Sequence, residues 1–136
     1  MGGVAAKGRE RPLKIFFDGG CRPNPGRIEV AVVACGVTHF FDDLGWGTST
    51  DAEWLALRMA LQIAQSSGTS DFVLIGDSAN VIAQANGRSK CRTQAAQDHL
   101  ALFTRAPAAS HPPRIRWSPR NQNLAGIALA RRRSRA

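Results

Sequence analysis

No aspartate or glutamate follows Asp98, although eight arginines do. Elsewhere the charges cancel: residues 1–98 hold ten Lys/Arg and all ten acids, so the net charge of +8 belongs to the C-terminal stretch. An arginine cluster of one sign (Arg114, Arg116, Arg120, Arg131, Arg132, Arg133, Arg135) favours a polyanion partner, because neutralising phosphates releases counterions. The end of that run also reads as a solvated basic tail. Cysteine is scarce. Cys21, Cys35 and Cys91 lie far apart with no C-x-x-C pair and no histidine at zinc-ligand spacing, a pattern of free thiols in a reducing cytoplasm. Long hydrophobic runs are missing too: no segment approaches about eighteen uninterrupted apolar residues, and no apolar stretch follows a basic start. The expectation is a soluble cytoplasmic monomer that engages no membrane.

What is present suits one domain. At 136 residues and 43% hydrophobic composition the chain can bury a core but is too short for two. Residues 1–12 read as a flexible leader, 13–130 as the folded unit and 131–136 as a basic tail. Leu13–Phe17 reads as a strand, followed by a loop over 18–27 with the Gly/Pro/Asn chemistry of tight turns. "RIEVAVVACGV" and "HFFDDLGWGTS" read as two extended runs, and a helix follows over about 51–66. "DFVLIGD" is a short apolar strand of the kind buried on both faces. Helical segments are expected over 78–86 and 90–105, a last strand at "RIRWS", and a final helix from about 121. The order β-β-β-α-β-α-α-β-α predicts an α/β fold, a mixed sheet with helices packed on its faces.

Two aspartates stand at strand ends. Asp18 follows "KIFF" and Asp77 follows "FVLIG", and each precedes small residues. Ligand sites of α/β sheets lie outside the carboxyl ends of strands, so the two acids meet there if their strands are parallel neighbours. Each also reads, singly, as a turn or cap residue. Glu53 has a competing local role, because Thr50-x-x-Glu53 matches a capping box. At about 100° per residue, however, Glu53 lies roughly 160° from the polar stripe of Asp51, Arg58, Gln62 and Gln65, among apolar residues. An inward carboxylate needs a partner, and three converging carboxylates suit a hard divalent cation, Mg²⁺ or Mn²⁺, rather than zinc. The tryptophans Trp46, Trp54 and Trp117 read as core. His111 reads as a loop residue beside Pro112 and Pro113, and His39 and His99 as strand and helix residues.

"FFDGGCRPNPG", "TSTDAEWLALRMAL" and "VLIGDSANVI" together resemble the three ordered motifs of the ribonuclease H type 1 family: strand-DGSxxxNPG, TNNxAELxAL and strand-DSxxV. The resemblance covers residues 13–130. It implies a five-stranded mixed sheet flanked by helices, and endonucleolytic cleavage of the RNA strand of RNA/DNA hybrids by two metal ions, leaving 5′-phosphate and 3′-hydroxyl ends. On this resemblance Asp18, Glu53 and Asp77 are the catalytic metal ligands. Gly19, Gly20, Asn24, Thr50 and Ser78 are the substrate-binding positions, with Gly20 where the family usually has serine and Thr50 where it usually has asparagine. The final motif departs: "RNQNLAGIALARR" places Gly126 where the family's fourth acid stands. A neutral amide oxygen from Asn121 or Asn123 is the remaining local donor, and a weaker one. The departure sets a second expectation beside the first, a hybrid-binding module with little or no turnover. "NGRSKCR" stands where some members insert a basic protrusion, so grip on the substrate is expected from the C-terminal arginines.

Overall fold

The alternation of "LKIFFDGGC" makes one strand of nine residues, β1 (Leu13–Cys21), whose odd-numbered side chains Ile15, Phe17 and Cys21 are buried on one face. The computed structural model describes residues 11–105 and 112–135, and all statements of contact concern those. The remaining elements are β2 (Gly26–Ala34), β3 (Val37–Phe41), the two-residue β4 (Trp46–Gly47), α1 (Ser49–Ser66), β5 (Phe72–Gly76), α2 (Ala79–Ala85), α3 (Gln94–Arg105), β6 (Arg114–Trp117), a 3₁₀ turn at Arg120–Gln122 and α4 (Leu124–Ser134). The element order is the expected one except for the added two-residue strand β4, which makes six strands rather than five, and the fold is a mixed α/β sheet flanked by helices. No helix among the described residues is long and apolar enough to cross a membrane.

The sheet runs β3-β2-β1-β5-β6, with β4 attached to β2. β1, β2 and β3 are antiparallel neighbours, while β5 lies parallel to β1 and β6 parallel to β5. Pairing to the two flanks of β1 ends at different places. β5 leaves β1 at Phe16↔Ile75, whereas β2 stays with it to Cys21↔Ile28. Asp18 is therefore a strand residue opposite Ala31, not the first residue of a loop as its sequence context suggested. Beyond Phe16 it has a neighbour on one side only, which opens a crevice on the other.

The apolar run expected over residues 27–37 is also cut. Cys35 and Gly36 both take positive φ (53° and 75°), and Ala34 pairs with Val37, the geometry of a two-residue hairpin whose twist matches that of its strands.

The main core lies between the sheet and α1–α3. Ala52, Ala56, Ala60 and Ala64 recur every fourth residue of α1 and are fully buried, so the helix presents a ridge of methyl groups to the sheet. Small side chains permit a close approach. A Cβ on Gly19 of β1 would lie 2.2 Å from the Ala52 carbonyl oxygen. A second, smaller core of Ala31, Val33, Ala125 and Leu129, with Phe16 against it, fixes α4 to the opposite face.

The expected tail over 131–136 is, through Ser134, the continuation of α4. Its arginines are partly spent within the protein. Arg132 pairs with Glu29 and Asp42 and lies 4.4 Å over the Phe40 ring, and Arg133 pairs with Glu29 through Nε at 3.0 Å. They pin the helix to β2 and β3, which removes two of the cations expected to grip substrate. Arg131 and Arg135 remain exposed. Residues 1–10 of the expected leader and His111 lie outside the described residues.

Replacing Gly19 by alanine drives a methyl group into the backbone of α1, which cannot yield as a flexible side chain would. Gly19→Ala should cost about 3 kcal/mol or more in urea denaturation, at the top of the range for overpacking. A change near zero would show that α1 sits further from β1 than described.

Candidate active site

The side chain of Asp18 points to the α4 face of the sheet and Asp77 follows the last residue of β5, so the parallel pairing of β1 and β5 sets the two aspartates side by side. Glu53 arrives from the first turn of α1. The competing capping role is filled by other residues: Thr48 is the N-cap, its hydroxyl accepts from the Asp51 amide at 3.1 Å, and Asp51 Oδ2 accepts from the Thr48 amide at 2.9 Å. The capping box lies two residues earlier than Thr50-x-x-Glu53, and Glu53 is freed to turn inward. There its Oε1 accepts from the Gly19 amide at 3.2 Å.

Asp18, Glu53 and Asp77 each offer an oxygen, and the three oxygens lie within 4.8 Å of one another. Burial pushes the Asp18 carboxyl up to about 7, aided by the negative charge of Asp77, while the Arg133 and Arg120 guanidinium groups and the Gly19 amide pull it down. Burial likewise pushes Glu53 up to about 9, with Asp18 and Asp77 adding to the rise. With nothing positive between them, Glu53 thus favours its neutral form near neutrality and Asp18 loses its proton only there. The donor set is wholly carboxylate oxygen, which fits a hard divalent cation such as Mg²⁺ or Mn²⁺.

Asn123 is the residue that sequence reasoning placed least well. It is fully buried at the N-cap of α4, where its Oδ1 accepts from the Ala125 amide at 3.1 Å. Its Nδ2 donates at 2.9 Å both to the Phe17 carbonyl and to Asp77 Oδ2. The two backbone partners fix which way the amide points. The expected amide oxygen for a metal is therefore occupied by the helix, and the side chain instead orients Asp77. Its position one helical turn before Gly126 was the available signal.

Gly126 faces the cluster. A Cβ there would lie 3.4 Å from Asp18 Oδ2 and 3.5 Å from Asp77 Oδ2, so α4 offers the acids a bare backbone where the sequence pattern had placed a fourth carboxylate.

The residues expected to meet substrate have these surroundings. The Gly19 amide is held by Glu53, and Gly20 lies two residues beyond Asp18 on the same face of β1. Asn24 Oδ1 accepts from the Ser49 amide at 3.1 Å and from the Cys21 thiol at 3.6 Å. Thr50 is exposed on the first turn of α1, and Ser78 is half-buried at the N-cap of α2 beside Asp77. Trp54 belongs to the core as expected. Trp46 and Trp117 do not: they are 75% and 51% exposed, and the Trp117 indole nitrogen donates to the Asp77 backbone carbonyl at 3.1 Å. His99 is more than an ordinary helix residue, since it stacks on Trp54 at 5.9 Å and bonds Asp51 at 2.9 Å.

The reverse transcriptase-like family matches residues 17–133. Among solved structures the chain is similar to ribonuclease H1 of the halophilic archaeon Halobacterium salinarum, with 27% identity, TM-score 0.77, and 86% of this chain covering 92% of that one. It is similar to the N-terminal ribonuclease H domain of a Mycobacterium tuberculosis protein, with 25% identity, TM-score 0.72 and coverage of 86% and 94%. A third is LC11-RNase H1, isolated from compost and solved in complex with an RNA/DNA hybrid, with 26% identity, TM-score 0.71 and coverage of 86% and 92%. No curated protein matches the sequence.

Raised carboxyl pKa values make metal-free stability depend on pH in a definite sense. The folded state binds more protons than the unfolded one, so stability is full below about 4, the ordinary value, and is lost as pH rises through about 7 and about 9. Glu53→Gln removes one repelling charge while keeping an acceptor for Gly19. In EDTA at pH 9 it should melt roughly 5 °C above the unaltered chain, with little difference near pH 4. Mg²⁺ should abolish the advantage. Equal melting at both pH values would place Glu53 in solvent.

Replacing Asn123 by alanine strips the cap of α4 and the partner of the Phe17 carbonyl. We expect a loss of about 2–3 kcal/mol in chemical denaturation. A loss below about 0.5 kcal/mol, the scatter of an ordinary surface change, would deny it this role.

Proposed function

Since the chain belongs to the reverse transcriptase-like family and to ribonuclease H type 1 proteins within it, we propose that it is an endoribonuclease acting on the RNA strand of RNA/DNA hybrids. The observation that carries this reading is the meeting of Asp18, Glu53 and Asp77, from two strands and a helix, within 4.8 Å at the carboxyl ends of parallel β1 and β5. The hybrid seen with LC11-RNase H1 supports the same class of substrate.

Asp18, Glu53 and Asp77 would hold the cation, and their buried, mutually repelling charges supply the reason it binds. When bound, Mg²⁺ or Mn²⁺ makes a water nucleophilic at neutral pH and stabilises charge on the departing oxygen. The products are a 5′-phosphate and a 3′-hydroxyl. Asn123 keeps Asp77 turned toward the centre through its Nδ2 donor. The family pattern has a fourth carboxylate on the last helix; here Gly126 stands there, so the three carboxylates present would hold one ion and would only partly hold another. Selection of ribose falls to polar groups able to meet a 2′-hydroxyl, the feature that separates RNA from DNA. On this reading Gly20, the exposed Thr50 hydroxyl, Asn24 and Ser78 would serve it. Arg131 and Arg135 on the outer turn of α4 are free to meet phosphate.

Gly126 favours one other reading, a module that binds the hybrid but turns it over slowly or not at all. The two separate on labelled RNA/DNA hybrid, DNA duplex and RNA duplex incubated with Mg²⁺ or Mn²⁺. Cleavage confined to the hybrid, reduced at least roughly a thousandfold in Asp77→Asn, identifies the enzyme; that factor is several kcal/mol of lost charge stabilisation. Salt-sensitive hybrid binding without product identifies the module. Equal treatment of all three duplexes would overturn both.

A further inference from the structure

The start of α1 carries two capping boxes that overlap in "TSTDAE". Thr48-x-x-Asp51 is the one formed, and Thr50-x-x-Glu53 is its rival. Their effects on the site are opposite. In the second, the Thr50 hydroxyl would accept from the Glu53 amide while the Glu53 carboxylate reached back to the Thr50 amide, which takes that carboxylate away from Asp18 and Asp77. Repulsion among three acids whose oxygens lie within 4.8 Å of one another pushes in the same direction.

The first register has support from outside the helix. Asn24 Oδ1 accepts from the Ser49 amide at 3.1 Å. From α3, His99 Nε2 lies 2.9 Å from Asp51 Oδ1, the oxygen that the box leaves unused, since both Thr48 bonds fall on Oδ2. The carboxylate accepts, so Nε2 carries the proton. The imidazole lies flat against Trp54, the residue after Glu53, with an interplanar angle of 3° and centroids 5.9 Å apart. Among the described residues its buried Nδ1 meets no partner, so the bond to Asp51 is the ring's polar anchor.

We infer that His99 is a positioning residue for Glu53: by holding Asp51 in the Thr48 box from 48 residues away, it fixes the capping register that leaves Glu53 free to face the other acids. The inference deepens the hydrolytic reading, and rests on it for the purpose that a held Glu53 serves. His99 itself needs to touch neither metal nor substrate. A hydrogen bond to a charged acceptor shifts a local equilibrium about tenfold or more, enough to decide between two caps of like chemistry.

The test separates the bond from the packing. His99→Phe keeps a ring on Trp54 and loses the donor, whereas His99→Gln loses the ring and keeps a donor. In the metal-free chain, hydrogen exchange followed by NMR should show the Gly19 amide, which donates to Glu53, exchanging roughly tenfold faster in His99→Phe, with the amides of β2 unchanged. Mn²⁺ affinity should fall at least about twofold, the loss when the two registers are equally populated. His99→Gln should match the unaltered chain in both. Thr50→Val removes the hydroxyl of the rival cap, so adding His99→Phe to it should change neither reading. Thermal melts verify folding, and His99→Leu replaces His99→Phe, with the same expectations, if the larger ring is not tolerated. A protected Gly19 amide and unaltered Mn²⁺ binding in the variant without a donor overturn the inference. So do faults confined to His99→Gln, which would mark a packing role, or faults that persist in the Thr50→Val background. These readings need no turnover. The expected amide and Mn²⁺ responses in a chain that cleaves no hybrid would sink the hydrolytic reading alone; hybrid cleavage with an indifferent Gly19 amide would sink the role of His99 alone.

Discussion

Three carboxylates crowded within 4.8 Å repel one another, and the rest of the structure is arranged to hold them there. Each comes from a different element, so no local motif can assemble them. β1 and β5 bring two by lying parallel, and α1 brings the third because its alanine ridge lets it sit against Gly19. The free energy for the crowding comes from the cores on both faces of the sheet. Burial and mutual repulsion together favour neutral acids in the bare site, and the same two effects make a divalent cation welcome.

The last helix carries a contrasting chemistry. It offers the acids no carboxylate, and supplies instead an asparagine that orients Asp77, a glycine that leaves room beside Asp18 and, two turns on, an arginine packed against Gly20 and paired with Glu29. The ion pairs of Arg132 and Arg133 with Glu29 and Asp42 fasten it to the sheet. Partly exposed pairs of this kind contribute little singly. Here they act beside the small apolar core of Ala125 and Leu129, which fixes the helix, while the pairs set the direction its arginines face. A positive helix end that looks like a polyanion-binding tail is thus partly consumed inside the fold.

Several features were legible because they depend on neighbours in the chain. The apolar run of β1, the continuous apolar run of β5 and the 3.6-residue stripe of α1 marked both strand-end aspartates and showed Glu53 turned away from solvent. The Thr50-x-x-Glu53 pattern offered a local rival, and the chain chose Thr48 and Asp51 instead, since a cap two residues earlier satisfies the same amides without taking the buried acid. The exposed indoles of Trp46 and Trp117 were misjudged for a related reason: tryptophan is buried on average, and only the position of β4 and β6 at the margins of the sheet leaves these two uncovered.

By itself the amino-acid order determined the element types, the acids available, the absence of a fourth one near the end, and the lopsided charge, because composition and periodicity are properties of short stretches. Tertiary structure alone decided that β1 runs past Asp18 while β5 stops short of it, that the Asn123 amide meets Asp77 across 46 residues, and that Arg133 rests on Gly20. Those contacts join surfaces which exist only after the sheet has formed and both faces are covered, and no periodicity within one segment records what will lie opposite it.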